Sequence, residues 1–248
     1  MRVAVLSDIH GNLPAFEAVL RDLPRVAPDS VVFAGDVALF GSQPRACWEH
    51  VRAAGWRTVQ GNTDRYIADL EGKLASLAPE QAGLRAFLQT NVAWAREDLG
   101  ADGVTALAAM GRSVEVASAA GRTLIVHGVP GDDETGLARH ESDHELARKL
   151  GAPEAAVVVC GHTHTAFVRH VGATLVVNGG AVGRPHDGLP GQATYAVLDD
   201  SSGRWSATIR RTAFDPRVEL DALRVRGAPV PAGFAETLLT GRAPVWKP

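Results

Sequence analysis

The sequence predicts an α/β fold with a β-rich second half. Three observations carry that expectation: β-branched runs alternate with helix-periodic stretches at the start, those runs end in glycine-bearing turns, and short β-type segments dominate after Arg112. Arg2 to Ser7 reads as a strand, and Leu13 to Leu23 as a helix with Asn12 as its N-cap. Ser30 to Ala34 reads as a second strand, Pro44 to Ala54 as a second helix and Trp56 to Gln60 as a third strand. Between Thr63 and Met110 the pattern is helical. Its most regular part, Pro79 to Gly100, places Leu84, Leu88, Val92 and Ala95 on one packing face. Further strands are expected at Ser113 to Ala117, Thr123 to Val126 and Ala156 to Cys160. Two hairpins follow, Phe167 to Val171 with Thr174 to Val177, and Ala193 to Leu198 with Trp205 to Arg210.

A chain of 248 residues, 46% hydrophobic and 21% charged, can enclose a full core without disulfides. No linker divides it, so residues 1–215 are expected to form one domain. Residues 216–248 should be a tail packed on that domain, with one helical stretch from Phe234 to Leu239. Lys plus Arg number 25 against 28 Asp plus Glu, a net charge of -3 that offers no broad surface for duplex nucleic acid. Cys47 and Cys160 form no CxxC pair and are expected to be buried thiols. The absence of a signal-like h-region and of any apolar run near the ~20 residues of a membrane span predicts a cytoplasmic protein.

Chemistry concentrates at the expected strand ends. In order these carry Asp8, His10, Asp36, Asn62, His127, His162 and His164. In open α/β sheets ligands sit beyond the carboxyl ends of strands, so such turns should converge. Two Asp, four His and one Asn offer oxygen and imidazole donors suited to Zn, Mn or Fe and poorly suited to Ca. Seven donors exceed the need of one ion and suffice for two if a carboxylate bridges them.

These motifs, Asp8-Ile9-His10, Gly35-Asp36, Gly61-Asn62, His127 and Gly161-His162-Thr163-His164, resemble the DxH, GD, GN, H, GHxH pattern of calcineurin-like metallophosphoesterases. The opening SDIHGNLPAFEAVL, the GDVALFGSQP segment and the later VNGGAVGRPHDG are similar to the small bacterial branch described as phosphodiesterases or protein-phosphatase-like proteins. The resemblance implies a four-layer αββα sandwich, two mixed β-sheets flanked by helices. It further implies that Asp8, His10 and His164 hold one divalent ion, that Asn62, His127 and His162 hold the other, and that Asp36 bridges. Asp36, Asn62 and His127 would serve catalysis, with a metal-bridging hydroxide attacking a phosphoester in line. Asn62 would also face substrate. Arg184, in the GRPHDG turn, could contact a substrate phosphate as a forked donor. Two dications against Asp8, Asp36 and a hydroxide leave a local charge of roughly +1, attractive to phosphate.

One position departs from the family pattern. Thr63 stands where many members carry a His that protonates the leaving group, a contribution typically worth ~10²- to 10⁴-fold. Phosphodiesters and activated esters are therefore the expected substrates. A phosphomonoesterase, protein Ser/Thr phosphatase-like or nucleotidase, is the alternative, and a non-catalytic scaffold of the same fold is disfavoured by retention of every candidate ligand. Asp64 reads equally as a partner for a ligand or as a turn carboxylate. His140 to His144 spells H-E-x-x-H, a zinc-protease pattern on a helix, but Ser142-Asp143-His144-Glu145 reads as a capping box that starts the helix at Ser142 and leaves His140 outside. His50, His170 and His186 read as isolated histidines.

Overall fold

In the computed structural model, which describes residues 1–230 and 233–243, the expected alternation opens the chain. β1 (Arg2–Leu6), α1 (Leu13–Val26), β2 (Ser30–Phe33), α2 (Pro44–Ala53) and β3 (Arg57–Thr58) follow one another. Asn12 caps α1 as expected: its side-chain oxygen accepts from the Ala15 N–H at 3.1 Å, satisfying a donor that a helix start leaves free. β1 pairs in parallel with β2, and β2 with β3, so all three end on one side. The antiparallel hairpin of β9 (Gln192–Asp199) and β10 (Ser206–Ala213) joins at β1, giving the sheet order β10-β9-β1-β2-β3.

The second sheet runs β4-β5-β6-β8-β7. Its strands are β4 (Val114–Ser118), β5 (Gly121–Ile125), β6 (Val157–Cys160), β7 (Phe167–Val171) and β8 (Thr174–Asn178), with β5, β6 and β8 mutually parallel. Both sheets are mixed. Alternation along each strand sorts the core into layers. Val3 and Val5 meet Val157, Val159, Leu175 and Val177 between the sheets. Ala4 and Leu6 face outward onto Phe16 and Val19 of α1, Val51 of α2 and Leu88 and Val92 of α5 (Ala82–Ala108). Beyond the second sheet, Val158 and Val176 pack on Leu146 and Leu150 of α6 (Asp143–Leu150). The result is the four-layer sandwich that the resemblance implied.

Three local expectations need correction. The helix expected from Pro79 to Gly100 is a 3-10 turn, Pro79–Gln81, followed by α5, and Gly100 at φ 72° breaks α5 into two pieces that continue to Ala108. Leu88, Val92 and Ala95 are buried, but Leu84 is 37% exposed because burial along this helix begins only at Leu88. The segment before α5 also holds α3 (Asn62–Ala68) and α4 (Leu70–Ala75). The third correction lies near the C-terminus, where α7 (Pro216–Arg226) precedes α8 (Phe234–Thr240) and only the latter was expected. Phe234 and Leu238 of α8 pack on Leu223 of α7 and on Phe40, which the β2–α2 connection carries. Within the expected tail, residues 231–232 and 244–248 lie outside the described residues. Cys47 and Cys160 are buried and unpaired, and burial pushes the Cys160 thiol up to about 12. Among the described residues no helix is long and apolar enough to cross a membrane.

Candidate metal centre

Five of the seven strand-end residues adopt a backbone that L-residues rarely use: Asp8 (φ 56°), His10 (50°), Asp36 (64°), His162 (65°) and His164 (58°). Such strain persists only where the surroundings impose it, and it concentrates at functional sites. Here the connections after the strands are laced to one another. The Asp8 N–H donates to Gly35 O, His10 N–H to Asp36 O and Gly161 N–H to His127 O, each at 2.9 Å. The glycines before Asn62 and His162 permit this crowding. A Cβ on Gly61 would lie 2.1 Å from Asp36 Oδ1, and one on Gly161 would lie 2.4 Å from Asp8 Oδ2.

The structure brings all seven residues together in two groups. On one side His10 Nε2 lies 3.1 Å from His164 Nε2, which is 3.2 Å from Asp8 Oδ1. On the other, Asn62 Oδ1 lies 3.0 Å from both His127 Nε2 and His162 Nδ1. Asp36 stands between them, with Oδ2 at 3.4 Å from His127 Nε2 and 3.7 Å from His10 Nε2. Asp8, His10 and His164 form one set of donor atoms close enough to share an ion, and Asp8, Asp36 and His127 form another.

The donor chemistry fits divalent metal. His10 Nδ1 contacts Leu39 O at 3.0 Å, His127 Nδ1 contacts Ala34 O at 2.9 Å and His164 Nδ1 contacts Arg184 O at 2.8 Å. A carbonyl only accepts, so each Nδ1 carries a proton and turns its Nε2 inward, the outer-contact arrangement that metal-binding imidazoles use. His127 Nε2 there faces two acceptors, Asn62 Oδ1 at 3.0 Å and Asp36 Oδ2 at 3.4 Å, which only a proton or a cation in the site reconciles. His10 Nε2 and His164 Nε2 therefore face each other with neither able to donate, and Asp8 Oδ1 is buried without a hydrogen-bond partner. An electron-rich nest of this kind calls for a cation.

The electrostatics state the same demand. Burial opposes charge on His127, yet the Asp36 carboxylate outweighs it and lifts this imidazole from 6.5 to about 10. Burial likewise opposes ionisation of Asp36, and the facing His127 and His10 rings overcome it and hold its carboxyl far below the usual range. His10, more strongly desolvated than it is attracted to Asp36, falls to about 4.

Residues outside this set complete its surroundings. Asp64, left open by sequence, touches no candidate ligand side chain: it accepts the N–H groups of Asp36 at 2.7 Å, Val37 at 2.9 Å and Gly61 at 3.0 Å. It therefore pins the GD and GN turns to each other. Burial and the Asp36 charge push its carboxyl up to about 7 against the pull of those three donors. Arg184 is buried, with its guanidinium 5.0 Å from the Phe234 ring centroid. His186 is not isolated, as the sequence suggested: its ring lies 4.6 Å, centroid to centroid, from that of His164, and its N–H donates to His164 O at 2.8 Å. The GxxH-free H-E-x-x-H segment stays outside the cluster. Ser142 caps α6 through the Glu145 N–H at 3.3 Å, and His140 precedes the helix. Phe40, an aromatic neighbour of His10 at 5.7 Å with φ 86°, is not singled out by the sequence, because nothing local marks it.

Residues 1–203 match the family described as the calcineurin-like phosphoesterase superfamily domain. An uncharacterized protein of Methanocaldococcus jannaschii is 24% identical, with 97% of this chain and 98% of the relative aligned. A metallophosphoesterase from Sphaerobacter thermophilus shares the architecture at 25% identity and a TM-score of 0.77, covering 97% of this chain and 99% of that one. A hypothetical protein from Pyrococcus horikoshii OT3 superposes with a TM-score of 0.82 at 17% identity over 97% of this chain and 98% of that one. With its fold, its strand-end motifs and a match spanning most of its length in agreement, the chain belongs to the calcineurin-like phosphoesterase superfamily.

Proposed function

We propose that this protein hydrolyses phosphodiesters with two divalent ions, Mn, Zn or Fe, one held by Asp8, His10 and His164, the other by Asn62, His127 and His162, with Asp36 shared. The observation that carries this reading is the convergence of imidazole nitrogens and carboxylate oxygens on both sides of Asp36, within 3.4 Å of His127 and 3.7 Å of His10. When bound, the ions supply Lewis-acid charge at the phosphoryl oxygens and lower the pKa of water.

The chain's own groups do the rest. Asp36 spaces the two halves, and its Oδ1 is oriented by the Thr63 N–H at 2.9 Å. Carbonyls of Ala34, Leu39 and Arg184 fix the rings of His127, His10 and His164. Asn62 presents its amide to the substrate side, and Arg184 supplies a permanent cation for a phosphate. Thr63 cannot donate a proton usefully at neutral pH, which favours diesters and activated esters over phosphomonoesters.

The test is hydrolysis by Mn-loaded and Zn-loaded protein of matched nitrophenyl diesters and monoesters, with elemental analysis of wild type and Asp36→Asn. Two ions per chain, diesters preferred, and loss of at least one ion together with activity in Asp36→Asn are expected. One ion at saturation, or full activity in Asp36→Asn, contradicts the shared-carboxylate site; a preference for monoesters shifts the reading to phosphomonoesterase.

A further inference from the structure

The segment after β8 runs along the first strand-end turn and wraps His164. Val182 N–H donates to Ser7 O at 3.0 Å and Gly183 N–H to Asp8 O at 2.9 Å, and a Cβ on Gly183 would lie 1.9 Å from Ile9 O. Arg184 and His186 consequently bracket His164. The first accepts its ring N–H through a backbone carbonyl, and the second lies against its ring at 4.6 Å, tilted by 37°.

Arg184 is buried, His186 is half-buried, and both are under-satisfied. Arg184 Nε and His186 Nε2 have no hydrogen-bond partner, and among the described residues no carboxylate pairs with the Arg184 guanidinium. Burial alone acts on that guanidinium, lowering it to about 10, so it stays cationic at neutral pH. Asp187, three residues on, is occupied elsewhere by Arg211 at 2.8 Å and by the Ala166 N–H at 2.8 Å. A buried cation without a counter-ion is costly, and a bound anion removes that cost.

The opposite flank behaves differently. There Arg65, Lys73 and Arg112 are all engaged by Asp133 and Glu134 at 2.5–2.8 Å. Arg184 thus lies without an ion pair on one side of the cluster, where its charge is felt at His10 and His186. A cavity of about 460 Å³ opens beside His186, lined by Arg139, His140, Thr163, Thr165 and Asp187. The roughly +1 charge at a two-ion site is already matched by the single negative charge of a diester. Arg184 is left over.

We propose that Arg184 and His186, backed by Phe234, form an anion subsite on the His10–His164 flank that takes a second phosphate of the substrate, one that is not cleaved. This inference rests on the phosphoesterase reading above for the position of the cleaved phosphate. The second phosphate could be joined directly to the first or carried across a sugar, and the same donors would serve either.

The experiment is titration calorimetry of Mn-saturated protein with thymidine 5′-monophosphate, thymidine 5′-diphosphate and thymidine 3′,5′-bisphosphate, at Mn in excess of nucleotide. At least one of the doubly phosphorylated nucleotides should bind tenfold or more tightly than the monophosphate, and which one does so identifies the linkage. Arg184→Gln should reduce that preference to within threefold, whereas Arg184→Lys, which retains the charge, should keep more of it. Should Arg184→Gln fail to fold, His186→Ala reads the same ratio. Equal affinities for the three nucleotides in the wild type, or a tenfold preference surviving in a folded Arg184→Gln or His186→Ala, overturn the subsite. Hydrolysis of a nitrophenyl diester is measured in parallel. Turnover without the preference removes the subsite and leaves the proposed function, while the preference without turnover does the reverse.

Discussion

The carboxylate of Glu219, on α7, accepts both hydrogen bonds that Ser42 can donate, from its backbone N–H at 2.6 Å and from its hydroxyl at 2.8 Å, across 177 residues of sequence. Ser42 ends the connection that leaves Asp36 and carries Phe40 past the ring of His10. The C-terminal helices therefore hold the rim of the candidate site from two directions, through Glu219 on Ser42 and through Phe234 beneath Arg184.

That contact has a pH signature. Burial raises the Glu219 carboxyl from 4.5 to about 7, with the two Ser42 donors opposing it only in part. A folded-state value above the unfolded one means that its contribution to stability is complete below about pH 4.5 and is lost as pH rises through about 7. Glu219→Gln keeps an acceptor for the Ser42 N–H and cannot ionise. Urea unfolding should show the wild type losing about 3 kcal/mol relative to Glu219→Gln between about pH 4.5 and pH 8, from 1.36 kcal/mol per pKa unit. A difference between the two proteins that does not change with pH contradicts a raised Glu219.

Sequence made the candidate strand-end ligands legible because their side chains are themselves the chemistry: an Asp or His after a β-branched run is conspicuous at any tertiary distance. Asp64, His186 and Glu219 were not legible for a common reason. Their partners are backbone N–H groups or a ring face brought near by the fold, and no residue type announces such a partner. Asp64 acts on the amides of Asp36 and Val37, which sequence cannot show as converging on it. α7 did carry local signals, Asp215 as N-cap, Pro216 in the first turn and Gly227 beyond the last, and was missed because its exposed Val218 and Val225 blur the apolar stripe. Gly100 was read as an end because glycine breaks helices; it does break this one, and a second piece starts at once.

Asp64→Asn should weaken the candidate metal site without removing a ligand. Asp64 Oδ2 accepts from Asp36 and Gly61 and Oδ1 from Val37, so an amide must point NH₂ at a backbone N–H on one side. A buried donor left unpaired costs about 1–3 kcal/mol. The variant should unfold at lower denaturant by that amount and bind Mn more weakly in a fluorescence or calorimetric titration. Unchanged stability and unchanged Mn affinity together contradict the bracing role.

His140→Ala and His164→Ala should separate cleanly. His140 is exposed and lies before α6, whose start is fixed by the reciprocal Ser142–Glu145 contacts. His164 Nε2 is 3.1 Å from His10 Nε2 and 3.2 Å from Asp8 Oδ1. Elemental analysis should find metal content unchanged in the first variant and reduced in the second, with turnover following metal. Loss of an ion in His140→Ala would mean that the H-E-x-x-H pattern binds metal despite the capping box.

Thr63→His tests the missing proton donor. Thr63 follows Asn62 at the start of α3, its N–H donates to Asp36 Oδ1 at 2.9 Å, and its hydroxyl is buried without a partner. A nitrophenolate leaves with little protonation, so the wild type should hydrolyse nitrophenyl diesters readily. A departing alkoxide is strongly basic. Without an acid in the site, wild-type rates should fall steeply as leaving-group pKa rises. An imidazole at position 63 has an ordinary pKa near 6.5, suited to donating a proton at neutral pH, and should add up to ~10²-fold for alkyl leaving groups while changing nitrophenyl diesters little. The quantity to measure is the slope of log kcat/KM against leaving-group pKa for both proteins at matched metal content. A shallow wild-type slope means that another group already protonates the leaving oxygen. An unchanged slope in a folded, metal-replete variant means that position 63 points away from it, and a preference for diesters must then have a source other than the lack of an acid.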